Sequence, residues 1–254
     1  TKGLVKSRQE AQRLIRAGKV KTINGQILDK PGQEVLKDLA IEIIKPLKYV
    51  SRGGEKLAAA LDQFPLEIKN RVCLDAGIST GGFTDCLLQL GAAKVYGVDV
   101  GYGQTAWSIR TDPRVVLLER TNIRYLTPEK LFSGGDLMPD FAVADLSFIS
   151  LKIVLPTLKN LLSRSRSELV VLVKPQFEVG KDKVGKGGVV RNYSLHAEAI
   201  RGVSNESKKL GWYPKGLIAS PLKGPAGNQE YLLWMGDETK ETNEIEKFIE
   251  LLSF

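Results

Sequence analysis

From Val72 onward, short apolar runs alternate with stretches that have the length and periodicity of helices. The runs read RVCLDAG, AKVYGVDV, RVVLLER, DFAVADLSF, ELVVLVKP, GLIAS and EYLLWM. Strands rich in Val and Leu between helix-length segments are typical of a parallel sheet with helices on both faces. The pattern predicts an α/β domain over residues 49–236.

The first 48 residues follow a different pattern. Ser7 and Glu10 have the spacing of a capping box, and an apolar stripe at helical spacing follows them. Asn24-Gly25 then predicts a two-residue hairpin, because both residues tolerate positive φ. A strand-like segment ends the region at 41–44. We therefore predict a small α+β domain over residues 1–48.

At the other end, residues 237–254 are predicted to form a polar linker and a short amphipathic helix. The apolar residues of this helix are Ile245, Phe248, Ile249 and Leu252. We expect them to pack against the α/β domain rather than to take part in catalysis.

Composition narrows the class of protein. The 254 residues are 43% hydrophobic, which suits one substantial core, and no apolar run reaches the length of about 18 residues that a membrane span needs. With no recognisable signal peptide, a cytoplasmic protein without stable membrane association is expected. Cys73, Cys86 and the single His196 suit neither a disulfide framework nor a zinc site, so no metal is expected, although a carboxylate-bound Mg²⁺ stays open.

The net charge of +8 is unevenly distributed. Residues 1–30 contain eight Lys and Arg against two acids, whereas residues 237–254 contain six acids against two lysines. Clustered cations displace counterions from phosphates, so nucleic acid is a candidate partner. An ordinary solvated surface is the alternative.

The N-terminal pattern S-R-x-x-A-x-R-L-I-x-x-G-x-V, followed by N-G and K-P-G, resembles the RNA-binding fold of ribosomal protein S4, pseudouridine synthases and tyrosyl-tRNA synthetases. An earlier helix with an R-L-D-x-x-L pattern is usual in that fold and is not found here, so the domain is expected to lack its first helix. The resemblance implies that a basic face contacts RNA through Lys6, Arg8, Arg13, Arg16 and Lys19. Their alternative role is to keep the helix soluble.

Charged residues mark the ends of four predicted strands. Asp75 follows the first strand of the α/β domain, Asp99 the second, Asp145 the fourth and Lys174 the fifth. An isolated Asp at such a place is more often a helix cap than a ligand-binding group. Because ligands of parallel sheets bind beyond the carboxyl ends of the strands, the four together predict a binding site there.

The loop DAGISTGGFTDCLLQLG is rich in glycine and hydroxyl groups, and a helix is predicted to begin near Phe83. Its spacing fits neither a P-loop nor the dinucleotide motif G-x-G-x-x-G. Asp99 lies about 24 residues beyond Asp75, near the offset at which an acid binds ribose hydroxyls. This combination predicts a nucleoside-bearing cofactor without a pyrophosphate.

The motif D-x-G-x-x-x-G-G-F with a later strand-end acid resembles the S-adenosylmethionine site of Rossmann-like methyltransferases. That resemblance implies a mostly parallel seven-stranded sheet with its last strand antiparallel. It also implies S-adenosylmethionine as the cofactor. The cofactor-binding residues implied are Asp75, Gly77, Ser79, Thr80, Gly81, Gly82, Phe83, Asp99, Val100, Asn122, Ile123, Asp145 and Leu146.

The residues at the carboxyl ends of the predicted strands narrow the class of methyl acceptor. The segment ADLSFIS replaces the N/D-P-P-Y/F loop of amino methyltransferases, and neither cysteine lies at a loop suited to cytosine C5 chemistry. An alcohol such as a ribose 2′-OH remains, and it requires a base. Lys174 is the candidate base, with Lys56 as a second cation and Glu230 as a carboxylate. Taken singly, Lys56 is equally consistent with an exposed helix residue and Glu230 with a strand-edge acid.

Longer motifs strengthen this interpretation. SRGGEKLAAAL, ADLSFISL, LVKPQFEVG, VGKGGVVR and SPLKGPAGNQEYLLW resemble the TlyA family, whose members carry the names haemolysin and rRNA 2′-O-methyltransferase and which is related to FtsJ/RrmJ. The resemblance implies a catalytic tetrad of Lys56, Asp145, Lys174 and Glu230. It implies Lys174 as base, Asp145 and Glu230 orienting it and the ribose, and Lys56 steering the hydroxyl.

The partner implied by this family is ribosomal RNA or a ribosomal subunit. A glycine-rich segment beside the predicted rim adds cations that, with Arg52, are expected to contact RNA: Lys181, Lys183, Lys186 and Arg191. A solvated mobile loop is the alternative for this segment. Two other functions stay open at this point, a membrane-active haemolysin and an RNA-binding ribosome-assembly factor without catalysis.

Overall fold

A computed structural model describes residues 3–44, 47–132, 137–163, 166–237 and 244–252. The chain divides into two compact units, Thr1–Leu47 and Lys48–Phe254. Within the described ranges, none of the helices combines the length and apolar character that crossing a membrane requires.

In the first unit, helix α1 spans Arg8–Arg16, as the capping pattern predicts. Ser7 Oγ accepts a hydrogen bond from the Glu10 amide at 3.1 Å. The Glu10 carboxylate accepts from the amide of Lys6 at 3.0 Å, one residue earlier than a standard capping box has it. The five basic residues predicted to contact RNA are all exposed.

The strands of this unit are β1, Val20–Thr22, and β2, Ile41–Ile43, which pair antiparallel. The predicted turn forms, with Gly25 at φ +87° and its amide bonded to the Thr22 carbonyl. Its second arm returns along β1, with a bridge between Lys21 and Ile27 and hydrogen bonds from the Thr22 amide to the Gln26 carbonyl and from the Leu28 amide to the Val20 carbonyl. The predicted hairpin therefore forms, and β1 pairs with β2 in addition.

The second unit is built on a seven-stranded sheet. Its strands are β3 Val72–Ala76, β4 Lys94–Val98, β5 Val115–Leu118, β6 Phe141–Ala144, β7 Glu168–Val173, β8 Trp212–Ala219 and β9 Tyr231–Asp237. They lie in the order β5-β4-β3-β6-β7-β9-β8, and only β9 runs antiparallel to its neighbours. This confirms the predicted fold class of a mostly parallel sheet with its last strand reversed.

Helices cover both faces of this sheet. They are α2 Arg52–Gln63, α3 Gly82–Gln89, α4 Trp107–Arg110, α5 Pro128–Leu131, α6 Leu151–Leu161, α7 Pro175–Glu178, α8 Tyr193–Lys209 and α9 Glu244–Leu251. Leu57 of α2 and Phe83 of α3 pack on one face, whereas Leu155 of α6 and Ile200 of α8 pack on the other. Successive strand residues alternate between these two cores, which is why the strands are apolar throughout.

Helix α9 packs on the same face as α8. Ile245 and Ile249 are buried in that core, and the Arg201 guanidinium bonds the Glu246 carboxylate at 2.6 Å. The predicted polar linker, residues 238–243, lies outside the described residues.

Candidate active site

The carboxyl ends of the parallel strands meet at one edge of the sheet, which we call the upper rim. It holds Asp99 after β4, Asp145 after β6 and Lys174 after β7. Glu230 joins them because Tyr231, the first residue of antiparallel β9, pairs with Val173 at the end of β7. Strand register thus places Lys174 and Glu230 side by side.

Lys174 is only 8% exposed. Its Nζ lies 2.7 Å from Asp145 Oδ1 and donates to Ser147 Oγ at 2.9 Å. Pro175 follows and begins α7, so β7 cannot extend past the lysine. A buried ammonium needs a paired carboxylate, and Asp145 provides it. Ser147 was not predicted.

Lys56 and Glu230 form the second pair. Lys56 Nζ, on the first turns of α2, lies 2.6 Å from Glu230 Oε2, and Glu230 is 1% exposed. A Cβ at Gly224 would lie 2.5 Å from Glu230 Oε1, so a larger residue there would displace this carboxylate. The four tetrad residues implied by family resemblance are therefore two lysine–carboxylate pairs on one rim.

The glycine loop lies between β3 and α3. Gly77 has φ +91°, and a Cβ there would lie 2.6 Å from the Asp145 carbonyl oxygen. The amides of Ser79 and Gly101 donate to the two oxygens of Asp99 at 2.8 and 2.7 Å. Asp99 thus holds the loop against the end of β4 with its carboxylate at the rim.

Asp75 does not lie beyond the end of its strand, where it was predicted. It lies inside β3, fully buried, because the strand continues through Ala76. Thr84 Oγ1 donates to its Oδ2 at 2.7 Å, whereas its Oδ1 has no hydrogen-bond partner among the described residues. Burial raises the pKa of Asp75 to about 7, opposed by the Thr84 hydrogen bond and assisted by the charge of Asp145.

Two clefts open on either side of the glycine loop. The larger cleft measures about 770 Å³ and the smaller about 310 Å³, and both are lined by Gly77, Ser79 and Asp145. Of the other predicted cofactor residues, the larger cleft contains Asp99, Val100, Asn122, Ile123 and Leu146. The smaller cleft contains Thr80, Gly82 and Phe83, beside Arg52 and Lys56. Asp75 and Gly81 are absent from the described lining of both.

Sequence reasoning missed the aromatic wall of the larger cleft. Phe148, in the left-handed region at φ +64° and 91% exposed, lies with its ring 5.3 Å from that of Phe177. The sequence signal for this wall was a large apolar residue in the motif ADLSF, after a predicted strand. Ser150 lines the same cleft and donates to the buried carboxylate of Glu178 at 2.6 Å.

The basic segment lies between α7 and α8. Its four predicted RNA-contacting cations are exposed, and Lys183 pairs with Glu198 at 2.6 Å. Asn228 fastens the end of the segment by accepting from the Val190 amide and donating to the Gly188 carbonyl. Among the described residues, no group of three or more His, Cys, Asp or Glu could hold a metal ion.

Comparisons with known proteins agree with this geometry. The family model of FtsJ-like methyltransferases matches residues 49–237, and that of the S4 domain matches residues 1–41. A Mycobacterium tuberculosis protein named 16S/23S rRNA (cytidine-2′-O)-methyltransferase TlyA is 52% identical over 240 residues, which are 94% of this chain and 87% of that protein.

Two further relatives carry a different name. Hemolysin A of Brachyspira hyodysenteriae is 38% identical over 232 residues, which are 91% of this chain and 95% of the relative. A solved structure of a Streptococcus thermophilus protein, also named a haemolysin, is 39% identical with a TM-score of 0.76 and covers 98% of this chain and 91% of that chain. The resemblance that the sequence motifs indicated is confirmed.

Proposed function

The chain belongs to the family of FtsJ-like methyltransferases, and we propose that it transfers a methyl group from S-adenosylmethionine to a ribose 2′-hydroxyl of ribosomal RNA. The Mycobacterium tuberculosis relative is named for cytidine 2′-O-methylation of 16S and 23S rRNA, so a cytidine is the acceptor that we expect. The observation that carries the proposal is the upper rim, where Asp145, paired with Lys174, lines both clefts and Lys56, paired with Glu230, lines the smaller one.

The larger cleft fits S-adenosylmethionine. Gly77 leaves room for close approach to the Asp145 backbone, and the Asp99 carboxylate stands where ribose hydroxyls bind in nucleotide folds. The unpartnered, buried Oδ1 of Asp75 under the loop favours a cationic ligand above it. The apolar wall of Phe148 and Phe177 suits an adenine ring.

The smaller cleft is proposed to receive the acceptor ribose. When bound, S-adenosylmethionine supplies an electrophilic methyl group on a positively charged sulfur. Asp145 lines both clefts and therefore lies between donor and acceptor. Lys174, which touches Asp145, is proposed to take the proton of the 2′-hydroxyl when it is in its neutral amine form, and Asp145 to orient the amine.

Lys56 has a supporting role in this proposal. Its ammonium lines the smaller cleft and is held by the buried Glu230 carboxylate. It is proposed to orient the acceptor hydroxyl and to stabilise the negative charge that develops on the oxygen.

The test replaces Lys174 by Met and measures transfer of tritiated methyl to unmethylated ribosomal subunits. General-base catalysis contributes on the order of 10²–10⁴, so a loss of that size is expected while S-adenosylmethionine affinity is retained. Lys159→Met is the matched control, because Lys159 is also part-buried and paired with a carboxylate, Asp237, at 2.7 Å on the opposite edge of the sheet. Full activity of Lys174→Met would overturn the assignment, and sequencing of 2′-O-methyl sites would test the expected cytidine.

The haemolysin alternative came from the second name that members of the family carry, and its one candidate membrane-binding element, the acidic C-terminal amphipathic helix, is a poor match for anionic lipid. In the described part of the chain, that helix packs Ile245 and Ile249 into the core of the second unit. These two residues are therefore occupied within the fold. Lysis of liposomes by the purified protein would restore this alternative.

A further inference from the structure

A third cleft, which we call the rear cleft, opens at the same rim on the opposite face of the sheet. It measures about 440 Å³, and its lining includes Arg191, Tyr193, Lys223 and the buried pair His196 and Tyr231. Glu230 and Tyr231 are consecutive, so their side chains point to opposite faces. Glu230 contacts Lys56 of α2, whereas Tyr231 contacts His196 of α8. The rear cleft is thus one residue away from the proposed catalytic tetrad.

Lys223 connects the two sides of the rim. It is exposed, lies on the loop that precedes Glu230, and lines both the smaller cleft and the rear cleft. An extended polyanion that enters the smaller cleft can therefore pass over Lys223 and descend into the rear cleft without leaving a positively charged surface.

The chemistry of the rear cleft suits one nucleotide. Arg191 and Lys223 supply two cations, and none of the described residues that line the cleft carries a carboxylate. The Tyr193 ring, on the first turn of α8, is 53% exposed and offers a face for stacking. Cations that neutralise phosphate and aromatic rings that stack on bases are the two elements of single-stranded nucleic-acid sites.

The floor of the cleft is already fixed by hydrogen bonds. His196 Nε2 donates to the Val190 carbonyl at 2.8 Å, so its Nδ1 accepts from the Tyr231 hydroxyl at 2.6 Å. Asn228 bonds both Val190 and Gly188, the residues just before Arg191. The positions of Arg191 and Tyr193 are thus set by buried polar contacts on both sides of them.

We propose that the rear cleft binds the nucleotide adjacent to the methylated one, with its phosphate between Arg191 and Lys223 and its base against Tyr193. This rests on the proposed function and extends it, because it assigns a subsite for RNA outside the cofactor and acceptor clefts. Lys223 and Tyr193 become RNA-contacting residues, and the strand crosses the rim at the target ribose.

The test measures steady-state methyl transfer to unmethylated ribosomal subunits at several salt concentrations. Arg191→Gln, Lys223→Gln and Tyr193→Ala are each expected to raise KM for the RNA about 10-fold, with KM for S-adenosylmethionine unchanged. The salt dependence of RNA binding should weaken by about one unit of logarithmic slope for Arg191→Gln and Lys223→Gln, and not for Tyr193→Ala. Tyr193→Phe keeps the ring and should restore the KM.

Lys209→Gln is the matched control, since Lys209 is an exposed lysine at the far end of α8, and it should behave as the unmodified protein does. Thermal melting checks that each variant is folded. RNA KM values unchanged in all three variants, in a protein that methylates RNA, would overturn the rear-cleft proposal alone. Absence of methyl transfer by the unmodified protein would instead contradict the proposed function.

Discussion

The edge of the sheet opposite the upper rim, here called the lower rim, also contains part-buried ion pairs, but of a different kind. There Arg71 donates to Asp140 Oδ1 at 3.1 Å, to the Asp140 carbonyl at 2.7 Å and to Glu168 Oε2 at 2.8 Å. At the upper rim, Lys174 and Lys56 each contact a single carboxylate, at 2.7 and 2.6 Å. The lower rim is therefore centred on a multiply bonded arginine, with the Lys159–Asp237 pair beside it, whereas the upper rim has two lysines that each pair with one carboxylate.

This difference agrees with the reaction proposed for the upper rim. A guanidinium stays charged in proteins and matches carboxylates in a fixed planar geometry, which suits a permanent structural contact. A lysine amine can lose its proton and presents rotatable donors, which suits proton transfer. The carboxylates of the two rims also differ in how fully they are hydrogen-bonded. Asp237 on the lower rim accepts from Lys159 and Ser167. Asp75 beneath the upper rim keeps one buried oxygen without a partner among the described residues.

The largest expected effect comes from replacing a lysine of the upper rim by arginine, the cation of the lower rim. Lys174→Arg keeps the positive charge beside Asp145 but removes a group that can accept a proton. Methyl transfer is therefore expected to fall by about 10²–10⁴-fold, with S-adenosylmethionine affinity retained. Single-turnover kinetics at saturating cofactor measure the effect.

The converse exchange, Arg71→Lys, is the control and is expected to leave the rate within about twofold of the unmodified protein, since the lower rim does no chemistry. A fully active Lys174→Arg protein would show that position 174 acts only as a fixed charge. The distinction between the rims would then fail.

A smaller effect, on stability, is expected at the lower rim. Arg71→Met leaves the carboxylates of Asp140 and Glu168 without their guanidinium, and because both acids are partly exposed the cost is expected to be about 1–3 kcal/mol, less than for a fully buried pair. The free energy of unfolding from urea denaturation should fall by this amount, while the methyl-transfer rate of the folded protein stays unchanged. A loss of rate without a loss of stability would contradict the structural role of this rim.

Much of the second unit was predictable because the parallel strands are largely apolar on both faces and four of them, β4, β5, β6 and β7, end just before a charged residue. Lys174 followed by Pro175 at the end of β7 is the clearest case. The same rule wrongly placed Asp75 beyond the end of β3. Hydrogen bonding to both neighbouring strands extends β3 through Ala76, so Asp75 lies inside the strand. An acid inside a buried strand cannot be told from one just beyond it by pattern alone.

The tetrad could not be assembled from spacing. Lys56 and Glu230 are 174 positions apart and lie on a helix and at a strand end, so nothing local indicates their contact. Only the resemblance to the TlyA family brought them together in the sequence. No sequence pattern indicated the rear cleft. Its lining residues Arg191, Tyr193 and Lys223 come from separate parts of the chain and lie together only because β9 is beside β7 in the folded sheet.

The smallest effect concerns pH and the unpartnered acid of the upper rim. Burial raises the pKa of Asp75 to about 7, so its carboxyl is mostly neutral at pH 6 and mostly ionised at pH 8. A cofactor with a positively charged sulfur favours the ionised form, and its affinity should rise about 3- to 10-fold over that range and level off above it. Calorimetric titration of S-adenosylmethionine at several pH values measures this rise.

Asp75→Asn removes the titrating group and should make the affinity nearly independent of pH between 6 and 8. The same shift acts on folding, because a carboxyl with a pKa near 4 in the unfolded chain binds its proton more tightly in the folded protein. Its contribution to the free energy of unfolding is fully present below about pH 4 and is lost as the pH rises to about 7. An affinity profile that keeps its slope in Asp75→Asn would assign the titration to another rim group and would remove Asp75 from the contrast between the two rims.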